Sequence, residues 1–421
     1  MSPVSALGAS GALVVGWGVM PARSRMGSPE LMLKTDGDVA LNGWIKIAAD
    51  GAVVVAMPRS EMGQGVHTAL AMLVAEELDV PLGRVRLEQA GPDSIYGNVA
   101  MLVASLPFHP LDSEGEHKPV KIKAAQWIVG KIARELGINA TGGSSTIADL
   151  WDPLRMAAAT ARASLAQAAA TSWQVPASEI TVRDGLMQHA SGRSAHFGLM
   201  GAAAAGQTPD DVQPKARADW QLIGQRAPRS DIPAKVNGQA VFGLDVRRPG
   251  LLFAAVRMNP VLGGAAPSID PAPALALPGV SRVVPLDAWG GGTGGLAVVA
   301  SNTWQARQGA QALQLQWPTA DATAPDTKRI QTELLQALNT ESGHTFHEQG
   351  KATLAERAAV TRIDALYQAP YLAHATLEPM NCTAQVINGK VEVWVPTQVP
   401  TLARAMAAQV AGVQEDDVTV H

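Results

Sequence analysis

Ala52-Val53-Val54-Val55-Ala56-Met57-Pro58-Arg59-Ser60-Glu61-Met62-Gly63-Gln64-Gly65, residues 52–65, runs from a continuous apolar segment into a polar turn with two glycines. Residues 52–57 read as a buried strand, and Pro58 stops it. From residue 66 the period changes. Val66, Ala69, Leu70, Leu73 and Val74 recur on one face, so the spacing predicts a helix over 66–78. Upstream, Trp44-Ile45-Lys46-Ile47 alternates as a half-buried strand, and Asp50-Gly51 is a hairpin signal. Residues 84–89 read as a further strand. Strand, loop, helix and strand in this order predict an α+β (mixed α/β) protein, with the loop at 58–65 where a strand feeds a helix.

The same reading extends outward. Pro107, Pro110 and Pro119 interrupt residues 91–140, and a short helix is expected near 121–136. Asp152-Pro153 reads as an N-cap followed by proline at the first helical position, opening an Ala-rich helix that runs to residue 170. Asp184-Gly185 turns a hairpin between strands at 180–182 and 186–187. Residues 201–217 are rich in Gly, Ala, Pro, Asp and Gln. A second unit follows, with strands at 251–258, 282–285 and 296–300 and a helix at 303–313. A third holds helices near 327–339 and 402–410, with strands near 384–387, 391–395 and 418–420. The expected organisation is an N-terminal arm over 1–40, a first domain over 41–200, a linker over 201–219, a second domain over 220–317 and the start of a third over 318–421. The strand at the very end predicts an unfinished third domain with exposed strand edges and poor solubility.

Composition narrows the function. Apolar residues make up 47% of the 421 residues and charged residues 17%, against a usual charged share of about 25%, so the chain is globular rather than disordered. Lys+Arg 33 against Asp+Glu 37 gives a net charge of -4 and no basic excess for nucleic acid. The single cysteine, Cys382, excludes an internal disulfide framework and an iron–sulfur cluster held by this chain alone. Residues 4–20 are apolar, but no Lys or Arg precedes them, so they read as a mobile arm or an incomplete export signal.

Two loops can do chemistry. At Gly63-Gln64-Gly65 the glycines let backbone N–H groups approach a ligand, and Gln64 can donate and accept at a heterocycle edge. Thr68 stands where a dinucleotide fingerprint would have its last glycine, so the loop is not that motif. Thr141-Gly142-Gly143-Ser144-Ser145-Thr146 is a hydroxyl-rich loop suited to phosphate oxygens. A plain strand-to-helix turn and a flexible loop are the competing readings. His374 and Glu378 stand four apart, but Pro370 and Pro379 favour a loop, and no third zinc ligand is evident. His344 and His347 lie in a polar stretch. Cys382 reads as a small core residue, and Glu76-Glu77 as solvated or capping carboxylates.

Taken in order, four blocks resemble the molybdopterin-binding large subunit of the molybdenum hydroxylases, the xanthine dehydrogenase family. The branch is that of isoquinoline 1-oxidoreductase β-subunits and membrane-associated aldehyde dehydrogenases. The blocks are Arg59 to Leu70 with Ala75-Glu76-Glu77-Leu78; Thr141 to Thr146 with Asp149-Leu150-Trp151; Arg229-Ser230-Asp231-Ile232-Pro233-Ala234-Lys235-Val236-Asn237-Gly238 through Pro249-Gly250-Leu251-Leu252; and His374 to Ala384.

The resemblance implies molybdopterin-binding domain pieces flanking an α/β hammerhead domain at 220–317. It implies molybdenum carried on molybdopterin cytosine dinucleotide. Gly63, Gln64, Gly65 and Thr68 would meet the pterin, and Thr141, Gly142, Gly143, Ser144, Ser145 and Thr146 the phosphate or nucleotide part. His374 and Glu378 would lie near the metal end, with no side-chain metal ligand. An N-heterocycle or aldehyde would be oxidised with oxygen from water. Electrons would pass to a small subunit with two [2Fe-2S] clusters, with a cytochrome c subunit as a further partner. The family's Gly-Gly-Gly-Phe-Gly turn and its later glutamate base lie beyond the point matching His421, so the reading expects a second chain to supply them, or an inactive remnant. No residue of this chain is assigned as catalytic base. The resemblance implies a periplasmic or membrane-associated site, while the lack of a twin-arginine pair leaves the cytoplasm open.

Overall fold

The computed structural model describes residues 24–33, 35–114, 117–318 and 326–421. The apolar stretch at 4–20 lies outside the described residues. The chain divides into two units: residues 1–244 with 380–421, and residues 245–379.

The first unit is built on a four-stranded sheet in the order β1-β2-β3-β4: β1 (Val39–Ala40), β2 (Ile45–Ile47), β3 (Val53–Met57) and β4 (Val85–Gln89). β2 and β3 form the expected hairpin, Ile45 opposite Val55. β3 and β4 pair in parallel, Val53 opposite Val85, so the connection between them must cross the sheet. That crossover is α1 (Val66–Leu78), at the boundaries the apolar period predicts. Every residue of β3 is buried, as its unbroken apolar run requires. Ile45, Val55, Leu70, Val74, Leu150, Leu154 and Leu165 meet in one core. Trp44 is fully buried in it, edge-on to Tyr96 at 4.9 Å.

α2 (Val99–Ala104) and α3 (Val120–Leu136) fill the proline-broken excursion. α4 spans Thr146–Trp173 and corrects the expected start at Asp152-Pro153. The helix begins seven residues earlier, with Pro153 inside it. Proline has no N–H to give the carbonyl four residues back, which is that of Asp149. Arg25 Nη1 donates to that carbonyl instead, at 3.0 Å. A side chain from elsewhere thus satisfies the acceptor that proline leaves open.

β5 (Thr181–Arg183), β6 (Leu186–Gln188) and β7 (Ser194–His196) make an antiparallel sheet, followed by α5 (Phe197–Ala204).

In the second unit, β8 (Phe253–Met258) and β9 (Val280–Leu286) flank β10 (Gly295–Ala300), and α6 (Thr303–Ala312) packs on that sheet. Its core is Ala274, Leu296, Val298, Ala310 and Leu313. α7 (Thr327–Thr340) and α8 (Ala352–Ala358) follow.

Back in the first unit, β11 (Thr383–Ile387), β12 (Lys390–Trp394) and β13 (Val418–Val420) form a sheet with α9 (Pro400–Ala411) as its crossover. Val391, Val393 and Val418 are buried there, so the apolar face of this sheet is covered, while β11 and β13 are its edge strands. Residues 380–421 therefore group with the N-terminal half of the chain and not with 318–379. Among the described residues, no helix is long and apolar enough to cross a membrane.

Candidate functional site

The turn from β3 into α1 and the turn into α4 stand side by side in the first unit. Ser60 N–H donates to Thr141 Oγ1 at 2.9 Å. Ser60 Oγ donates to the Thr397 carbonyl at 2.8 Å. Thr141 N–H donates to the Gln398 carbonyl at 2.8 Å, and Gln398 Nε2 donates back to the Thr141 carbonyl at 2.7 Å. Three chain segments, near residues 60, 141 and 398, are thus clasped together. Sequence reasoning finds the first two; the third, at 397–398, carries no motif and is missed.

A buried ion cluster lies beneath the clasp. Arg59 has no exposed side-chain surface, and its Nη2 meets Asp149 Oδ2 at 2.7 Å. Its Nη1 donates to the Tyr96 carbonyl at 2.8 Å and to Asn139 Oδ1 at 2.6 Å. Arg25 Nη2 reaches the same Asp149 oxygen at 2.8 Å. Asp149 Oδ1 accepts the N–H groups of Val99 and Ala100 at the start of α2. Burial pushes the Arg59 guanidinium down to about 10, against the opposite pull of Asp149. It remains charged at neutral pH. Arg59 Nε is buried with no hydrogen-bond partner among the described residues.

The first loop differs from expectation in one respect. The N–H groups of both its glycines are already taken, by the chain's own carboxylate. Glu61 Oε1 accepts from Gly63 N–H at 2.8 Å and Gly65 N–H at 2.9 Å, and Oε2 accepts from His67 N–H at 3.1 Å. Burial alone would raise the Glu61 carboxyl, but these three donors outweigh it and hold it below the usual carboxylate range. Gln64 is turned back on its own loop: Oε1 accepts from Met62 N–H and Nε2 donates to the Ser60 carbonyl. Gly63 and Gly65 have φ of 104° and 83°, which a side chain rarely adopts, and a Cβ on either would meet nothing within 4 Å. The loop apex is therefore open.

The second loop keeps more of its donors. Gly143 and Ser144 are exposed with φ of 59° and 53°. No side chain caps the first turn of α4. Ser145 is buried, its hydroxyl shared between the Gly142 carbonyl and Asn98 Nδ2. Thr146 is buried as well. Thr68, expected at the pterin, is also buried, and its hydroxyl is engaged by Ser230 N–H at 2.9 Å. Glu76 and Glu77 are not solvated: both are buried, and Glu77 pairs with Arg155 at 2.7 Å. Cys382 is exposed and not a core residue. His374 and Glu378 belong to the second unit. His374 is exposed on irregular chain beside Ala375, whose φ is 47°.

Comparison with known proteins agrees with a cofactor-binding reading. Models for a molybdopterin cofactor-binding domain match residues 5–101 and residues 337–421. The chain is 31% identical to the beta subunit of isoquinoline 1-oxidoreductase from Brevundimonas diminuta, over 91% of this chain and 50% of that one. It is 28% identical to a subunit of nicotinate dehydrogenase from Pseudomonas putida, over 90% and 29%. It is 26% identical to the membrane-bound aldehyde dehydrogenase [pyrroloquinoline-quinone] of Gluconacetobacter polyoxogenes, over 93% and 48%. Among solved structures, quinoline 2-oxidoreductase from Pseudomonas putida 86 superposes on 47% of this chain and 30% of its own, at 19% identity and a TM-score of 0.33. The chain spans half or less of the length of these curated relatives.

The paired domains at the two ends define a molybdopterin-binding protein. More particularly, the chain belongs to the large subunits of the molybdenum hydroxylase family.

Proposed function

We propose that this chain is the cofactor-holding portion of a molybdenum hydroxylase that oxidises an N-heterocycle or an aldehyde. The observation that carries the reading is the clasp. It joins the 59–65 and 141–146 loops to residues 397–398, and residues 5–101 and 337–421 are the two segments matched as molybdopterin cofactor-binding domains. The residues present fit such a group. Gly63 and Gly65 leave open space, and Gly143 and Ser144 stand exposed before an uncapped helix. Because Glu61 takes the glycine N–H groups of the first loop and places a carboxylate there, an anionic phosphate suits the second loop, where α4 begins. A neutral ring would lie against the open glycines of the first, at Gly63 and Gly65, and Gln64 would reach its edge only by leaving the Met62 N–H and Ser60 carbonyl. Thr68, Ser145 and Thr146 would then support the two loops rather than touch the group. His374 and Glu378 are assigned to the metal end on the resemblance alone, as is the cytosine dinucleotide form. When bound, the group would supply the two-electron oxidation, with oxygen from water. This chain's residues would bind and orient it.

A [2Fe-2S] subunit is the natural electron outlet, since one cysteine cannot hold such clusters. A cytochrome c subunit completes the proposed assembly, placed at the membrane or in the periplasm. The competing reading is a protein that binds cofactor or partner and turns nothing over. One relative's name carries pyrroloquinoline-quinone, so the test must read the metal itself. Elemental analysis and nucleotide release on the purified chain, with whatever co-purifies, decide it. Near-stoichiometric molybdenum with CMP released is expected. A chain without molybdenum, prepared in cells that make the cofactor, overturns the proposal.

A further inference from the structure

Residues 215–231 run along α1 in the opposite direction and are fastened to it at successive points. Lys215 N–H donates to Glu77 Oε2 at 2.9 Å. The consecutive N–H groups of Gln221, Leu222 and Ile223 all donate to Glu76 Oε2, at 2.8, 2.6 and 3.1 Å. Ser230 N–H donates to Thr68 Oγ1 at 2.9 Å. At the far end, Arg229 reaches the loop itself. Its Nη1 donates to the Gly63 carbonyl at 2.6 Å, and its Nη2 to Glu61 Oε1 at 3.3 Å. Asp231 holds the guanidinium from the other side, at 2.9 Å to Nε and 2.6 Å to Nη2.

This geometry adds a restraint from outside to a loop that Glu61 and Gln64 hold from within. Gly63 and Gly65 both sit at positive φ, and glycine moves between backbone wells at little steric cost. The Gly63 carbonyl and the Gly63 N–H are held by different groups: Arg229 takes the carbonyl, and Glu61 takes the N–H. Arg229 also touches Glu61, so one side chain secures both restraints. We infer that Arg229 is a positioning residue for the 63–65 loop: it fixes the loop's backbone so that the open apex keeps one shape. What that apex holds rests on the function proposed above; the restraint itself does not.

The test is hydrogen exchange on the full chain, comparing Arg229→Ala and Arg229→Lys with the unaltered protein. Amides of residues 63–67 should exchange roughly tenfold faster in Arg229→Ala, because local opening no longer breaks the guanidinium contacts. Arg229→Lys keeps one charged donor and should recover most of the protection. The hairpin at 181–188 should be unchanged in both variants. Unchanged exchange at 63–67 in Arg229→Ala overturns the proposal. So does equal acceleration at 181–188, which would mean general loss of stability. Molybdenum content, measured on the same samples, should fall in Arg229→Ala and recover in Arg229→Lys. If the unaltered chain holds no molybdenum, the functional reading fails, and the exchange comparison still decides the role of Arg229.

Discussion

Asp149 does more than any other single residue to hold the site together. Its carboxylate takes Arg59 and Arg25 together with two backbone N–H groups, and its own carbonyl takes Arg25 again. Two guanidiniums around one carboxylate leave a net positive charge in a buried place, tolerable only while Asp149 is present. Asp149→Ala should therefore cost about 3–5 kcal/mol, the usual penalty for stranding a buried partner. Urea unfolding at neutral pH measures it, and a loss under about 1 kcal/mol, the worth of a surface pair, would show that the cluster is effectively solvated. Little of this is legible in the sequence. Arg25, Arg59 and Asp149 are far apart along the chain, and no local pattern announces that three charges converge. The open loop glycines are legible, because their neighbours state a strand before and a helix after. Glu61 is not, because a carboxylate two residues before a glycine looks like any solvated loop acid.

At the scale of the element, period and turn chemistry are reliable where burial is one-sided. α1 begins and ends where its apolar positions do, and the Asp50-Gly51 and Asp184-Gly185 turns sit inside the hairpins they predict. The reading fails where tertiary contacts override local rules. Pro153 reads as a helix start, yet lies inside α4 because Arg25 satisfies the carbonyl it abandons. Glu76 and Glu77 read as solvated because they are charged and adjacent, yet both anchor the 215–231 segment. Glu76 carries a prediction of its own. Burial would raise its carboxyl, but the N–H groups of Leu222, Ile223 and Gln221, with Lys215, hold it below the ordinary range. A carboxyl depressed in the folded state stabilises fully above its unfolded value, near ~4.3, and that stability is lost as the pH falls through the folded value. Glu76→Gln should cost about 1.5–3 kcal/mol at pH 7, the range for hydrogen bonds to a charged group. Its penalty should shrink in acid, as the native carboxyl takes up its proton. Urea midpoints of both proteins at neutral and acid pH test this. A penalty that does not change with pH would mean that the charge of Glu76 contributes nothing.

Across the whole molecule, apolar surface is unevenly covered. The sequence reading places the liability at the edges of the strands near 391–395 and 418–420, and the apolar face there is covered by Val391, Val393 and Val418 packing together. A denser exposed run lies elsewhere. Val360 is 102% exposed, Ile363 88%, Tyr367 92%, Leu372 80%, Leu377 104% and Met380 98%. These residues occupy irregular chain, and α7 ahead of them also shows Leu334 and Leu338 to solvent. Scattered single apolar residues are ordinary on a surface, but a run of this density marks a surface that another chain covers or that aggregates. A partner subunit seated on this run would shield it. Alone, the purified chain should bind a hydrophobic dye and associate as its concentration rises. Replacing Ile363, Leu372 and Leu377 together with Ser should weaken both effects without lowering the thermal midpoint of the first unit, whose core is elsewhere. Light scattering and dye titration read the outcome. A chain that stays monomeric at high concentration and binds no dye would mean that this apolar run is buried in solution, and the case for a covering partner would go with it.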